Sequence, residues 1–357
     1  MQVVFDNIIF ALQRVGGISV VWQELLSRAL KDNRFDKKIL DYPSQNVCRQ
    51  ELDFSSCDLV SQPLRIAERY RTPDFRSHES AIFHSSYFRI AEGANIKNIT
   101  TVHDLTYHYY RSGLPRRVHL WEEQRALRHS AGIICVSEHT KRDLLQLYPW
   151  LDHNRIAVVY NGVGAHFCQD ASVEKKGYLL FVGNRSAAYK RFDVAVEVAR
   201  LTGISLVMVG GALSADERKM LDEQLGTDRY HAYTDVSNLM LNTFYNEALC
   251  LLYPSDYEGF GIPILEAQKA GCPVLCQATS SIPEVIGESG IMLSAAPPRQ
   301  LAADMADIVR QLLSGQIDSI ALTEQGKTNA VRFSWDKTYQ QTYDFYQTIF
   351  HTTHRYL

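Results

Sequence analysis

The chain has 357 residues, of which 46% are hydrophobic and 22% are charged, and its formal net charge is −3. These values are typical of a globular protein with two domains of about 170 residues each, and no run reaches the roughly 18 apolar residues of a membrane-spanning helix. The seven cysteines include no C-x-x-C pair, which favours reduced thiols in a cytoplasmic protein over a disulfide framework.

Charge is distributed unevenly along the chain. Residues 1–165 carry a formal charge of +3 and the remainder −6. Two interpretations of the arginine clusters in the first half stay open: a solvated surface, which is favoured, and contact with anionic lipid headgroups on the inner face of the cytoplasmic membrane or with a phosphorylated lipid carrier. The clustered residues are Arg65, Arg69, Arg71, Arg76, Arg111, Arg116 and Arg117. The N-terminal residues contain no charged leader, so we expect no secretion signal.

The first half alternates between strand and helix patterns. A strand begins at residues 3–5, and a helix at 18–30 follows the Gly16-Gly17 pair, whose small residues allow a ligand to approach the backbone although G-x-G-x-x-G is absent. This alternation predicts an α/β fold with a parallel sheet. Further strands are predicted at 37–41, 81–84, 98–103, 132–136 and 156–160, and further helices at 59–70, 115–129 and 137–148.

Ligands of such folds bind at the carboxyl ends of the strands. His103 ends one predicted strand, within Thr-Val-His-Asp-Leu, and His84 ends another. A lone histidine is commonly a structural hydrogen-bonding group. For His84 we leave the structural and acceptor-side interpretations open.

The second half repeats the alternation after a polar stretch at 164–176 that resembles a linker. A strand at 178–182 leads into a loop from which Arg185 and Lys190 are expected to project, followed by a helix at 191–201. Two cations in such a loop suit a diphosphate. Strand 205–209 ends at the pair Gly210-Gly211, and residues 231–234 lead into a helix start at 235–238, where the backbone of Val236 is expected to meet a nucleotide base.

The stretch at 253–277 carries most of the functional information. A buried strand at 248–253, a turn rich in Pro, Gly and acid, and a helix at 262–270 place the helix N-terminus behind Gly259, Phe260 and Gly261, with Ile262 first in the helix. Such a terminus attracts an anion. Glu258 and Glu266 flank it and can accept hydrogen bonds from hydroxyls. A nucleotide-sugar has both the diphosphate and the hydroxylated rings that these groups require.

The segment from Glu258 to Glu266, EGFGIPILE, resembles the E-x7-E motif of the family 4 retaining glycosyltransferases. GGISVVWQEL, TVHDL and the Gly183–Lys190 loop are similar to the branch that contains bacterial O-antigen mannosyltransferases. The resemblance implies the GT-B fold, with two facing Rossmann-like domains and a C-terminal helix that crosses back to the first. The implied domains are 1–163, on the acceptor side, and 177–334, which binds the nucleotide-sugar, with 335–357 as the crossing helix.

The resemblance also implies roles for individual residues. The Gly16-Gly17 loop lies near the donor diphosphate and the acceptor, and His103 contacts the transferred sugar. Arg185 and Lys190 correspond to the R-x4-K pair that binds the diphosphate. Glu258 would then hold the hexose and Glu266 the ribose.

No D-x-D, H-E-x-x-H, Walker A or G-x-S-x-G motif occurs, so we expect a metal-independent enzyme that needs no cofactor besides its donor. GDP-mannose is favoured as donor over a UDP-hexose, with a glycan or lipid-linked saccharide of surface polysaccharide synthesis as acceptor and no nucleic acid. A catalytically silent nucleotide-sugar-binding protein and a glycosidase that uses the two glutamates are the alternatives. Oligomeric state leaves no signature in the sequence.

Overall fold

The computed structural model describes residues 1–75 and 79–352. Arg76 and the last five residues of the predicted C-terminal segment lie outside the described residues. Contacts divide the chain into two compact units: Met1–Gly162 with the segment from Trp335 on, and Val163–Ser334. No helix in the described ranges is both long and apolar enough to span a bilayer.

The first unit is built on a parallel sheet whose seven described strands have the order β3-β2-β1-β4-β5-β6-β7. Its central strands are continuous apolar runs, such as Val3 to Phe5, because helices cover both faces of the sheet. The strands are β1 (Gln2–Asp6), β2 (Asp36–Asp41), β3 (Asp58–Ser61), β4 (Ala81–Ser85), β5 (Ile96–Val102), β6 (Ser130–Cys135) and β7 (Ile156–Val158). The helices are α1 (Ile8–Leu12), α2 (Gly17–Ala29), α3 (Val47–Gln50), α4 (Thr106–Tyr110), α5 (Gly113–His129) and α6 (Glu138–Leu147).

The second unit has a parallel sheet with the order β10-β9-β8-β11-β12-β13. Its strands are β8 (Leu179–Val182), β9 (Leu206–Val209), β10 (Tyr230–Tyr233), β11 (Cys250–Tyr253), β12 (Val274–Gln277) and β13 (Ile291–Leu293). Its helices are α7 (Phe192–Thr202), α8 (Ala215–Leu225), α9 (Asn238–Glu247), α10 (Ile262–Lys269), α11 (Ile282–Ile286), α12 (Pro298–Leu313) and α13 (Ser319–Ala330). Helices α7 and α12 pack their apolar faces against one side of the sheet. The two sheets and their helices give the predicted two-domain α/β architecture.

The last helix, α14 (Trp335–His351), packs on the first unit. The Tyr339 hydroxyl donates to Asp32 at 2.6 Å, and Thr338 Oγ1 donates to the Tyr160 carbonyl oxygen at 2.7 Å. The ring of Tyr346 lies 6.3 Å from that of Phe5 in the core. The C-terminal helix therefore completes the core of the first unit, as the sequence predicted.

One predicted element is wrong. Residues 59–70 do not form a helix: β3 pairs in parallel with β2, with Leu59 opposite Ile39, and only Glu68–Tyr70 form a single 3₁₀ turn. Pro63 stands between the two, where it interrupts a helix because it lacks a backbone N–H. The apolar residues Leu64 and Ile66 are exposed, so their helix-like spacing reflects no buried face.

Candidate functional site

The second unit has one position where its strand order reverses, between β8 and β11. In open parallel sheets this crevice at the carboxyl ends of the strands is where ligands bind. The loop after β8 contains Arg185 and Lys190, and the loop after β11 contains Glu258. The Asp256 N–H donates to the Tyr189 carbonyl oxygen at 2.7 Å, which joins the two loops. The topology thus brings together residues that lie about 70 positions apart in sequence.

Lys190, which is half-buried, and Glu258, which is buried, form an ion pair at this edge. Lys190 Nζ donates to both carboxylate oxygens of Glu258, at 2.6 and 2.8 Å. The Glu258 backbone is fixed as well, since its N–H donates to Ser280 Oγ at 2.8 Å and its carbonyl oxygen accepts from Ser281 Oγ at 2.9 Å. The predicted sugar-binding carboxylate and the predicted phosphate-binding cation are therefore adjacent and neutralise each other.

Helix α10 begins directly behind this pair. Gly261 caps it with φ 105°, a left-handed conformation that glycine adopts without strain. The Ile264 N–H donates to the Gly261 carbonyl oxygen at 3.1 Å, and Pro263 has no N–H. Among the described hydrogen bonds, the N–H groups of Gly261 and Ile262 have no acceptor, and these are the anion-binding groups of this terminus.

Arg185 does not project from its loop as expected. The residue is buried, its Nη2 donates to the Gly211 carbonyl oxygen at 2.6 Å, and its Nε contacts Glu217 at 3.3 Å. Gly210 permits this packing, because a Cβ there would lie 2.4 Å from the Gly183 carbonyl oxygen and 3.3 Å from Arg185 Nη1. Arg185 Nη1 is buried and has no hydrogen-bond partner among the described residues.

Tyr253, the last residue of β11, is a site residue that the sequence reasoning missed. Its hydroxyl is buried without a hydrogen-bond partner in the described part of the chain, and a Cβ on Gly261 would lie 3.7 Å from it. Burial, followed by the negative charge of Glu258, raises the pKa of Tyr253 well above its usual range. The signal available in the sequence was its position at the carboxyl end of a buried strand.

Glu266 lies one turn inside α10. The buried Tyr245 hydroxyl donates to its Oε2 at 2.9 Å, and burial raises the pKa of Glu266 from 4.5 to about 7. One carboxylate oxygen is thus held by the protein, which fixes the orientation of the other. Glu266 thus lies about one helical turn from the N-terminus of α10, which follows Glu258 in the chain.

The remaining predicted donor-side residues are positioned by their neighbours. Phe260 is buried against Phe333, with ring centroids 5.8 Å apart, and its carbonyl oxygen accepts from Ser281 Oγ at 2.9 Å. Gly259 lies between Glu258 and Phe260 in the same loop. Val236 is half-buried in the loop between β10 and α9, directly after Asp235, whose φ is 51°.

In the first unit the strand order reverses between β1 and β4, and Gly16 and Gly17 stand at the start of α2, after β1 and the short helix α1. Gly17 begins α2, and its Cβ position is open, with no atom within 4 Å. A Cβ on Gly16 would meet only the side chain of Gln13, at 2.7 Å. Both glycines have ordinary backbone conformations, so what they provide is an uncovered helix N-terminus.

His103 lies between two cavities of this unit. One is lined by Trp22, His84 and Thr101, and the other mainly by aromatic and polar side chains of the loop after β4, of α4 and of α5. Burial lowers the pKa of His103 to about 4, so the imidazole is neutral at neutral pH. The second cavity is lined by Ile18, Ser86, Tyr87, Phe88, Thr101, His103, Asp104, Thr106, Tyr107 and His119.

The structure favours the structural interpretation of His84. Its Nδ1 bonds the Tyr346 hydroxyl at 2.6 Å and its Nε2 bonds Thr101 Oγ1 at 2.8 Å. Burial, with a smaller contribution from His103, lowers the pKa of His84 to about 3. Both ring nitrogens are occupied, so His84 joins β4, β5 and α14.

Tyr107 and His119 line the second cavity and were not identified from the sequence. Their rings stack 3.7 Å apart with an interplanar angle of 12°, and Phe88 meets His119 edge-on at 5.4 Å. Aromatic walls of this kind suit the apolar face of a sugar ring, and Asp104 supplies a carboxylate beside them.

Comparison with known proteins places both units in one family. Residues 32–166 match the model described as Glycosyltransferase Family 4, and residues 165–329 match Glycosyl transferases group 1. The chain is 26% identical over 298 residues to the O-antigen chain mannosyltransferase B of Escherichia coli, covering 77% of this chain and 76% of that protein.

Solved structures show the same fold. Sucrose-phosphate synthase from Thermosynechococcus elongatus superposes with a TM-score of 0.73 at 16% identity, covering 98% of this chain and 99% of that one. HepE from Anabaena, in complex with UDP-glucose, superposes with a TM-score of 0.72 at 13% identity, covering 98% and 100%.

Proposed function

Since the chain belongs to the family 4 glycosyltransferases of GT-B fold, we propose that it is a retaining, metal-independent enzyme that transfers a hexose from a nucleotide-sugar to a hydroxyl of a glycan or lipid-linked acceptor. The observation that carries this proposal is a pair of buried polar atoms, Arg185 Nη1 and the Tyr253 hydroxyl oxygen, that have no hydrogen-bond partner among the described residues. Arg185 shares the loop after β8 with Lys190, and Tyr253 ends β11, the strand that leads to Glu258. Buried polar groups are normally hydrogen-bonded, so two at one edge favour a polar ligand there.

The donor roles follow from this arrangement. The diphosphate would lie over the N-terminus of α10, where it accepts from the backbone N–H groups of Gly261 and Ile262 and from Arg185 Nη1. Lys190 would turn from Glu258 toward the phosphate, which releases the Glu258 carboxylate for the sugar hydroxyls. Glu266 would hold the ribose with its remaining oxygen, and Val236 would meet the base through its backbone.

The proposed reaction breaks the bond between the anomeric carbon and the phosphate oxygen and forms one from the same carbon to the acceptor oxygen. Arg185, Lys190 and the helix N-terminus stabilise the negative charge that develops on the leaving diphosphate. The acceptor hydroxyl enters on the face that the diphosphate leaves, and its proton passes to a phosphate oxygen. Neutral His103 would supply a hydrogen bond to the sugar, and the Gly16-Gly17 terminus would face the reacting groups.

We further propose GDP-mannose as the donor and a growing surface polysaccharide as the acceptor, in the cytoplasm. The support is the E. coli O-antigen mannosyltransferase, which matches along three quarters of both chains. A UDP-hexose is the second choice, and the complex of HepE with UDP-glucose shows that a protein of this fold can hold such a donor.

Thermal shift with GDP, UDP and their mannose and glucose conjugates tests the donor, because a ligand that binds only the folded protein raises its apparent stability. We expect GDP and GDP-mannose to raise the melting temperature. If only UDP and its conjugates raise the melting temperature, GDP-mannose is not the donor. If no nucleotide raises it, the proposed nucleotide site is wrong. Release of nucleoside diphosphate in the presence of acceptor then separates a transferase from a silent binding protein and from a glycosidase.

A further inference from the structure

Helix α5 has an outer face that the proposed reaction does not use. Leu114, Arg117, Trp121 and Arg128 recur at spacings of three, four and seven residues, which places them in one stripe on the helix surface, called here the outer stripe. Leu114 is 71% exposed and Trp121 53% exposed. From Leu114 to Arg128 the stripe is about 20 Å long.

Further aromatic side chains continue this surface beyond the helix. Tyr109 and Tyr110 of α4, just before α5, are 48% and 40% exposed, and Trp150 is 42% exposed. The Arg128 guanidinium lies 4.5 Å from the centre of the Trp150 ring. Single exposed apolar residues are normal, but a group that combines Trp, Tyr and Leu with arginine is the composition of a membrane–water interface.

The charge of this surface is positive because the acids of α5 face inward. Glu122 accepts from Arg69 at 2.6 Å, and Glu123 accepts from Tyr148 at 2.6 Å and pairs with His108 at 2.8 Å. Both glutamates are buried, so neither offsets the arginines outside.

Among the arginines of α5, Arg125 alone forms a salt bridge with another described residue, Glu92 at 3.9 Å. Arg111, Arg116, Arg117 and Arg128 form no salt bridge within that part of the chain. The outer stripe is therefore cationic in a protein whose overall charge is −3. Of the flanking aromatics, Tyr109 interacts with a carboxylate, that of Asp143.

We propose that the outer stripe and its flanking aromatics bind the surface of an anionic membrane. The arginines would pair with lipid phosphates, while Trp121, Trp150 and Leu114 enter the headgroup layer, as in helices that lie in the interface. The arginines alone would also suit an acidic protein, but exposed Trp and Leu side chains favour the lipid surface.

The inward face of α5 carries His119, which lines the cavity with Tyr107 and Phe88. An acceptor bound there would lie about one helix diameter, roughly 10 Å, from the lipid. This short distance favours an acceptor that is itself attached to lipid, an inference that rests on the proposed function.

Sedimentation with vesicles measures membrane binding in the absence of donor and acceptor. A negative result would therefore contradict the membrane proposal and leave the proposed transferase activity unaffected. We expect the full chain to bind vesicles of phosphatidylcholine and phosphatidylglycerol in equal parts, and to bind phosphatidylcholine alone far more weakly. The triple variant Arg117→Gln, Trp121→Ala, Arg128→Gln should lower the partition coefficient by at least about tenfold, because each basic residue near the surface contributes roughly a factor of five.

A matched control removes two charges and one exposed apolar side chain from the second unit: Lys219→Gln, Arg299→Gln and Leu239→Ala. It should bind as the wild type does. Trp22 and Trp335 are buried, so a blue shift of tryptophan emission on adding vesicles reports Trp121 and Trp150.

Three results would overturn the proposal: no binding of the wild type to the anionic vesicles, binding retained by a folded triple variant, or an equal loss in the control. Far-ultraviolet circular dichroism establishes that the variants fold. Association with an acidic protein and not with vesicles would assign the surface to that other class of partner.

Discussion

Replacing Lys190 should affect two quantities: the stability that its ion pair with Glu258 provides and the rate of the proposed transfer. Lys190→Ala should lower turnover by about two orders of magnitude, roughly 3 kcal/mol, because stabilisation of leaving-group charge belongs to the transition state. It should also lower the melting temperature, since it leaves Glu258 buried and unpaired. The measurement is kcat with saturating donor at a temperature where both proteins are folded.

The double variant Lys190→Gln, Glu258→Gln separates the effect on turnover from the effect on stability. It removes the unpaired charge, so stability should recover relative to Lys190→Ala while turnover stays low. Lys219→Ala is the matched control, since its amine pairs with Glu223 at 4.0 Å on an exposed helix surface and forms no other salt bridge with the described residues. Wild-type turnover in Lys190→Ala would remove the residue from the proposed site.

Glu266 gives a prediction about pH. Burial raises its pKa from 4.5 to about 7, so between these values the folded protein holds a proton that the unfolded chain has released. The free energy of unfolding therefore falls as pH rises through this window, and above it the charged carboxylate costs up to about 3 kcal/mol. Because the residue keeps some exposure, this is an upper bound.

Glu266→Gln removes that dependence and keeps an acceptor for Tyr245. The variant should be close to wild type in stability at about pH 4 and more stable than wild type at about pH 8. Urea denaturation at both pH values measures the difference, with the exposed Glu223→Gln as control. A variant that becomes less stable than wild type as pH rises would show that the carboxylate is stabilised by its surroundings.

At the scale of elements, α14 is held against β6 at a glycine. A Cβ on Gly132 would lie 2.8 Å from Ile349 Cγ1 and 2.8 Å from two ring atoms of Phe345. Gly132→Ala should therefore destabilise the protein by about 1 to 3 kcal/mol, since overpacking forces these side chains to move. Gly211→Ala is the control, because no atom lies within 4 Å of that Cβ position. Equal urea midpoints for the two variants would mean that α14 shifts to make room for the methyl group without destabilising the protein.

The strands and most helices were predictable from the sequence because buried parallel strands are continuous apolar runs. The segment at 59–70 was not, since the pairing of β3 with β2 is a long-range contact that a local pattern does not encode. The donor-side positions were identified through a motif, but their partners were not. Nothing in the sequence relates Lys190 to Glu258, or shows that Arg185 turns inward to Gly211, because both depend on how the loops after β8, β9 and β11 meet.

At the scale of the whole molecule, the same topology occurs twice. Each unit has a parallel sheet whose order reverses beside its first strand. In the second unit Arg185, Lys190 and Glu258 lie in the loops after the two strands that flank the reversal. In the first unit Gly16 and Gly17 follow one flanking strand, β1, whereas His103 follows the next strand along, β5. The first unit offers a neutral histidine and aromatic walls, and the second offers cations, carboxylates and a helix N-terminus. This division of polar character supports the proposed assignment of the first unit to the acceptor and the second to the donor.

The last prediction concerns metal ions. A diphosphate leaving group needs positive charge, which many transferases obtain from a divalent cation held by carboxylates. We propose that Arg185, Lys190 and the N-terminus of α10 provide it here. No group of three or more His, Cys, Asp or Glu side chains among the described residues is arranged to hold a metal ion. We expect transfer rates to be unchanged after dialysis against EDTA, measured as release of nucleoside diphosphate. If EDTA abolishes transfer and Mg²⁺ or Mn²⁺ restores it, the charge is supplied by a metal, and the roles proposed for Arg185 and Lys190 are wrong.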